Sequence, residues 1–259
     1  MHWGMVIDLV RCVGCQTCTI ACKQEHDLPP GTFWRFVADC EVGEYPDVRR
    51  LFLPMQCMHC GAAPCVPVCP TGASRQRDDG IVWVEYDACV GCGYCAMACP
   101  YHARHLVHEA ASWFDTLTPP ERAGARPGRH GVMTKCTFCK ERVDDGRARG
   151  LTPGVDADAT PMCAVACIAG AIVFGDLDDA SSRVARRVAS GEAQPLMPEC
   201  GTRPSVYYVP AGRDAGNAGA ASSAPPAATQ DALPLVSHET ARDVRPHRGT
   251  GAWVPVRGA

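Results

Sequence analysis

The sequence predicts an α+β fold made of two small, similar modules, one nested inside the other, with loop insertions and an irregular C-terminal arm. Three observations predict it. The 259 residues carry 18 cysteines, and 16 of them fall into four groups of four. The first and third groups are near copies: Cys12 to Cys22 reads CVGCQTCTIAC and Cys89 to Cys99 reads CVGCGYCAMAC, with seven of 11 positions identical. A weaker likeness joins CVPVCPTGA from Cys65 with CAVACIAGA from Cys163, so the second and fourth groups also match, as a duplicated unit would. With 25 Gly and 22 Pro, much of the chain must be loop and turn, which leaves room only for short elements.

The elements follow in order. Strands are expected at Gly4 to Asp8, Leu51 to Leu53, Ala171 to Phe174 and Val206 to Val209. Asp78-Asp79-Gly80 is a turn signal, and Ile81-Val82-Trp83-Val84-Glu85 after it reads as a further short strand. Short helices should begin near the last step of the cysteine groups, at Cys18 to Cys22 and Cys95 to Cys99. Ser182 to Ser190 fits a surface helix, with Val184 and Val188 on one face and Arg183, Arg186 and Arg187 on a solvated face. Residues 112–131 are rich in Pro, Gly and Arg and read as an inserted loop. Residues 211–259 lack apolar periodicity and are expected to form an extended or disordered arm.

The spacing of the cysteines carries the chemistry. Cys12, Cys15, Cys18 and Cys22 read C-x2-C-x2-C-x3-C, and Cys89, Cys92, Cys95 and Cys99 repeat it. Cys57, Cys60, Cys65 and Cys69 read C-x2-C-x4-C-x3-C; Cys136, Cys139, Cys163 and Cys167 read C-x2-C-x23-C-x3-C. A C-x2-C-x2-C turn curls the backbone so that three thiolates face one object, while the fourth rides away on the next segment. In two-cluster ferredoxins that fourth Cys ligates the other cluster, and Pro often follows it, as Pro70 and Pro100 do here. Gly14 and Gly91 sit inside the tight turns, where a missing Cβ is expected to let the backbone approach the sulfide. Structural zinc uses two C-x2-C pairs rather than three thiolates within seven residues, so iron–sulfur is the favoured reading and a zinc-stapled scaffold the rival. Disulfide-dense chains are usually shorter and secreted. Sixteen thiolates divide into four 4Fe–4S clusters. Each site would carry about −2, and four would add about −8 to the formal −3, giving roughly −11 for the loaded chain.

Two pairings fit the repeat. Neighbouring groups could pair, first with second and third with fourth. Alternatively the second pairs with the third and the first with the fourth, which nests one bacterial-ferredoxin-like module in another. The second and third groups carry the trailing Pro and have only 19 residues between them, which favours nesting. The boundaries are then 1–50 and 132–210 for the outer module and 51–111 for the inner one.

The net charge is too small for a nucleic-acid footprint. No run approaches 18 apolar residues, and no secretory or twin-Arg signal precedes Cys12, so any export is expected to depend on a signal-bearing partner. No H-E-x-x-H, G-x-S-x-G or P-loop is present, and each thiol group is complete, so no iron is left open for substrate. The chain is therefore expected to move electrons rather than to make or break substrate bonds. His59, between Cys57 and Cys60, is expected near a cluster or at the surface rather than as a ligand. His102, His105 and His108 are expected to face solvent, and Cys40 and Cys200 to be buried structural thiols.

The four-group pattern resembles the iron–sulfur subunit of dimethyl sulfoxide reductase-type molybdenum or tungsten oxidoreductases, over roughly Met5 to Pro210. The likeness is strongest in Pro29-Pro30-Gly31, Glu41-Val42-Gly43-Glu44-Tyr45-Pro46, Cys65 to Ser74 (CVPVCPTGAS), Lys135-Cys136-Thr137-Phe138-Cys139 and Gly201-Thr202-Arg203-Pro204. These segments are similar to the polysulfide reductase subunit. The longer fourth group, with Gly150 to Asp156 and Ala159-Thr160-Pro161, is similar to a branch that includes phenylacetyl-CoA:acceptor oxidoreductase and membrane-bound sulfite dehydrogenase.

The resemblance implies the nested pairing, with Cys12, Cys15, Cys18 and Cys167 on one cluster and Cys136, Cys139, Cys163 and Cys22 on a second. It places Cys57, Cys60, Cys65 and Cys99 on a third and Cys89, Cys92, Cys95 and Cys69 on a fourth. It also implies a relay between a molybdopterin catalytic subunit and a quinone-binding integral membrane subunit in anaerobic respiration. The chain would then sit peripherally on the membrane through those partners, on the cytoplasmic side unless exported. A free-standing polyferredoxin shuttle and a subunit of a hydrogenase or formate dehydrogenase are the alternatives. Ile168, after Cys167, and the tail beyond Pro210 depart from the family pattern without removing a ligand.

Overall fold

The run Trp3-Gly4-Met5-Val6-Ile7 has no polar face, so a strand there must be covered on both sides. The computed structural model makes it strand β1 (Trp3–Asp8), and all six residues are buried. Trp3, Met5 and Ile7 enter the main core, whereas Val6 joins a second, smaller core with Val173, Val184, Ala193 and Val209. The structure describes residues 1–107, 116–119, 122, 129–211, 244–246 and 253–255.

After β1 come α1 (Thr17–Glu25), β2 (Phe36–Val42), β3 (Arg49–Met55), β4 (Ser74–Gln76), β5 (Val82–Val84), α2 (Tyr94–Met97) and β6 (His105–Val107). There follow β7 (Val132–Thr134), α3 (Lys140–Ala148), α4 (Met162–Val165), β8 (Ile172–Asp176), α5 (Arg183–Ala189), β9 (Gln194–Pro195) and β10 (Val206–Val209). One sheet has the order β8-β1-β10-β9. In it β10 runs parallel to β1, with Met5 opposite Val206, and β8 antiparallel, with Ile7 opposite Ile172. Three two-stranded ribbons, β2–β3, β4–β5 and β6–β7, complete this part of the chain. Residues 1–215 form one compact unit, and its main core draws on both halves of the repeat, from Trp3 and Trp34 to Ile81, Tyr101, Phe138 and Tyr208.

The expected strands at the N-terminus, at 81–85, at 171–174 and at 206–209 are present within a residue or two, and Leu51 to Leu53 lies inside the longer β3. The Asp78-Asp79-Gly80 turn also forms: the Arg77 N–H bonds the Ile81 carbonyl at 2.9 Å, and Gly80 takes φ 85°. The Asp79 carbonyl then accepts the Trp3 N–H at 3.0 Å, which ties this hairpin to the main sheet. Helix α5 falls where expected, capped by Ser182 Oγ accepting the Ala185 N–H at 3.0 Å. Its Arg187, however, is not simply solvated. It bonds buried Asp8 at 2.8 Å and Glu192 at 2.7 Å, pinning the helix to the end of β1. Helix α2 stops at Met97, short of Cys99. The inserted loop 112–131 and the arm 211–259 lie largely outside the described residues. Within the arm, β11 (Val244–Pro246) and β12 (Trp253–Pro255) pair antiparallel, so these two segments depart from the expected irregular chain.

Candidate iron–sulfur sites

All 18 cysteines are free thiols, so no disulfide competes for them. Their neighbourhoods regroup the sequence quartets. Cys12, Cys15, Cys18 and Cys167 line a single pocket, although Cys167 lies far along the chain from the other three. The reason lies in two packed helices: α1 and α4 lie against each other, bringing Cys18 and Cys22 beside Cys163 and Cys167. Cys22 is pushed well above the usual thiol range by burial and then by Cys136 and Cys163. Cys139 is raised in the same way by burial, Cys163 and Cys136. Burial, with Cys57, Cys65 and Cys99 adding to it, pushes Cys60 up to about 12. For Cys99 burial again leads, and Cys57 and Cys65 add to it. Burial raises Cys95, with Arg104 opposing and Cys65 and Cys89 adding. Cys92 is exposed and Cys69 half-buried, and Cys69 keeps local partners: the Ser74 N–H at 3.4 Å and the Thr71 hydroxyl at 3.7 Å.

These thiols fit an iron–sulfur core. Burial would keep many of them protonated, so ligation as thiolates requires positive charge placed among them. The donor set is sulfur throughout, which suits iron–sulfur chemistry. Among the described residues no three His, Cys, Asp or Glu side chains converge closely enough to hold a single metal ion. Backbone N–H groups point at sulfur: Ala171 to Cys167 at 3.3 Å, Met133 to Cys89 at 3.4 Å and Phe138 to Cys136 at 3.5 Å. Buried Arg35 leaves its Nε and Nη2 atoms, and buried Arg104 its Nη1, with no hydrogen-bond partner among the described residues. Such donors fit an anionic group lying against them.

Several side-chain readings change. Both Gly14 and Gly91 take φ 69°, and an added Cβ would meet the Phe52 ring and the Gly131 carbonyl oxygen respectively. The constraint is positive φ plus close packing from outside the loop. His59 is wholly buried rather than at the surface. Its Nδ1 accepts the Val82 N–H at 3.0 Å, and its ring stacks on Phe138 at 3.7 Å between centroids. His102 is exposed as expected, but His105 is half-buried because it lies within β6 opposite Thr134, and His108 is outside the described residues. Cys40 and Cys200 are both exposed, not buried. Cys40 lies on the two-stranded ribbon β2–β3 opposite Leu51, and Cys200 ends a short turn at Pro198–Cys200. Sequence reasoning also missed His26, whose Nε2 lies 3.2 Å from Cys139 Sγ, and the buried cations Arg35, Arg104 and Lys135. No spacing rule marks a lone basic residue as buried.

The fold and thiols thus define a ferredoxin-type, 4Fe–4S-binding electron-transfer protein, and a family model described as a 4Fe-4S dicluster domain matches residues 48–115. The chain is 41% identical to a provisionally named iron–sulfur subunit of dimethyl sulfoxide reductase from Halobacterium salinarum, over 80% of this chain and 79% of that one. It is 39% identical to a selenate reductase subunit of Mesobacillus selenatarsenatis, over 81% and 72%. It is 37% identical to a sulfite dehydrogenase subunit of Allochromatium vinosum, over 80% and 82%. The chain belongs to the family of iron–sulfur subunits of dimethyl sulfoxide reductase-type molybdoenzymes.

Proposed function

We propose that the chain holds four 4Fe–4S clusters in a row and relays single electrons between a molybdopterin (Mo or W) catalytic subunit and a quinone-reactive membrane subunit. Set I is Cys12, Cys15, Cys18 and Cys167; set II is Cys22, Cys136, Cys139 and Cys163. Set III is Cys57, Cys60, Cys65 and Cys99; set IV is Cys69, Cys89, Cys92 and Cys95. One observation carries the reading: the thiols form a continuous series, buried in the middle and open at both ends. Sets I and II share α1 and the Cys163–Cys167 segment, and sets III and IV share the Cys65–Cys69 and Cys95–Cys99 segments. Cys57 lies close enough to Cys136 to help raise it, after burial and Cys163, which joins set II to set III. Cys22, Cys136, Cys139 and Cys163 are all buried, while Cys15 and Cys92, in the two end sets, are exposed. The dicluster match across 48–115 spans every thiol of sets III and IV, which supports an inner module at 51–111 within an outer one at 1–50 and 132–210.

Bound clusters would supply one-electron acceptance and donation. The chain's own residues hold them, exclude water from sets II and III, and direct N–H donors and cations at sulfur. Substrate chemistry belongs elsewhere: relatives named for selenate and for sulfite match this chain about equally well. A relative named as the iron–sulfur cluster-binding subunit of menaquinone reductase, from Nitratidesulfovibrio vulgaris and 38% identical over 81% of this chain and 89% of that one, supports a quinone-side partner.

Among the described residues no helix is long and apolar enough to cross a membrane, so attachment through partners to the membrane, on its cytoplasmic side unless exported, is part of the proposal. Against a free shuttle stand apolar collars around both exposed ends. Val13 and Ile168 flank set I, with Ile168 74% exposed; Val90, Tyr94 and Met97 flank set IV, with Met97 77% exposed. Gentle anaerobic purification from membranes, with mass spectrometry and iron, molybdenum and tungsten counts, tests the reading. A large Mo or W subunit, a polytopic membrane chain and about 16 iron atoms per copy are expected. A lone brown protein with the same iron would sink the subunit reading, and about eight irons would sink the four-cluster reading.

A further inference from the structure

The protein buries three cations that pair with no carboxylate among the described residues. Arg35 and Lys135 are each 1% exposed and Arg104 is 6% exposed. Arg35 Nη1 bonds the Gln56 amide oxygen at 2.7 Å and lies 3.5 Å from Cys163 Sγ. Arg104 Nη2 bonds Cys65 Sγ at 2.9 Å and Ser74 Oγ at 2.7 Å. Lys135 Nζ donates to the carbonyls of Val82 and Cys136, the latter at 2.6 Å. An unpaired buried ion is costly, so each of these charges must meet an anion in the working protein.

Their positions follow the thiol series. Arg35 Nη1 lies 3.5 Å from Cys163 of set II, and the guanidinium acts on Cys18 of set I. Lys135 sits beside Cys136 of set II and acts on His59, which lies between Cys57 and Cys60 of set III. Arg104 touches Cys65 of set III and acts on Cys95 of set IV. Arg35 and Arg104 each lie beside thiols of two successive sets, and Lys135 lies between Cys136 of set II and the His59 ring of the Cys57–Cys60 loop.

We propose that Arg35, Lys135 and Arg104 are positioning residues for electron transfer, each a fixed positive charge shared by two neighbouring clusters and holding both of their potentials up. The proposal rests on the four-set reading above. A cation favours the more negative, reduced state of any cluster near it, so removing it lowers the potential of both flanking clusters together. A side chain that served only to fill space would not leave that paired signature.

The test uses the intact complex carrying Arg104→Gln, which removes the charge, and Arg104→Lys, which keeps it. All clusters are titrated by potentiometric EPR and iron is counted. In Arg104→Gln two clusters should each shift at least tenfold in oxidised-to-reduced ratio at fixed poise toward the oxidised form, about 59 mV for a one-electron couple. The other clusters should stay in place, and Arg104→Lys should stay within about threefold of wild type. Four clusters present with none shifted in Arg104→Gln, or equal shifts in both variants, would overturn the proposal. Should Arg104→Gln lose iron, retention in Arg104→Lys supports the role of charge, and equal loss in both overturns it. Arg35→Gln and Arg35→Lys repeat the test on the other pair. The wild-type iron count checks the four-set reading separately: near eight per chain, that reading fails whatever the variants do.

Discussion

Substituting alanine at Gly91 or at Gly14 separates two constraints that the repeat makes look identical. Both glycines sit between the first two cysteines of their loops at φ 69°, so each alanine bears about 1–2 kcal/mol for a left-handed conformation. Their surroundings differ. A Cβ at Gly91 would overlap the Gly131 carbonyl oxygen, a backbone atom whose own N–H is bonded to Val107 at 2.7 Å where the β6–β7 ribbon ends. A Cβ at Gly14 would overlap the ring of half-buried Phe52, which can swing aside. Moving the β6–β7 ribbon adds about 1–3 kcal/mol of overpacking and endangers the Met133 N–H bond to Cys89 Sγ, worth about 1 kcal/mol. Gly91→Ala should therefore cost about 3–6 kcal/mol, and Gly14→Ala about 1–3 kcal/mol. Anaerobic thermal inactivation of the complex, followed by loss of the cluster absorbance near 400 nm, gives the ranking as half-lives. Phe52→Ala added to Gly14→Ala should relieve the overlap and leave the conformational cost. A Gly14→Ala complex as labile as Gly91→Ala would refute the reasoning.

Three further outcomes are expected. Under the nested pairing, Cys99→Ser and Cys57→Ser should alter the same EPR signal; if Cys99→Ser instead shares its signal with Cys136→Ser, neighbouring groups pair and the proposed sets are wrong. Arg77 joins the β4–β5 turn to α3 through Asp144, at 2.7 and 2.8 Å, and is held within the turn by buried Asp79, at 2.7 Å. Because Arg77 and Asp144 are partly exposed, Arg77→Ala should cost about 1–3 kcal/mol, read by denaturant unfolding in matched buffers. Burial lowers the pKa of His105 below its ordinary 6.5. Its unfolded form therefore takes up a proton that the folded form refuses, so this contribution is present above about pH 6.5 and is lost as pH falls toward the folded pKa. His105→Gln should flatten the stability profile over that window, and an unchanged slope would count against it.

The candidate ligands stand out in the sequence because cysteine spacing is a local, one-dimensional signal. All 16 candidate ligands, and strands such as Val206–Val209, follow from pattern alone. Strand β2 escaped because Asp39, Cys40 and Glu41 break its apolar run and only its partner β3 supports it, from Phe36 opposite Met55 to Val42 opposite Arg49. His105 looked like one of three spaced histidines because β6 is only three residues long and takes its register from Thr134, 29 positions away. The buried cations were invisible for a related reason. A basic residue next to a cysteine motif, as Lys135 is, reads as solvated until the carbonyls of Val82 and Cys136 are seen to receive it.

The matching second and fourth cysteine groups meet in the core. The second and fourth groups each place a ring just before their second cysteine, His59 and Phe138, and both residues adopt left-handed backbone, at φ 44° and 54°. Those rings stack on one another. Matching positions of the two groups therefore touch, with Lys135 acting on the His59 ring. That arrangement supports the reading in which sets II and III are dry and sets I and IV reach the surface.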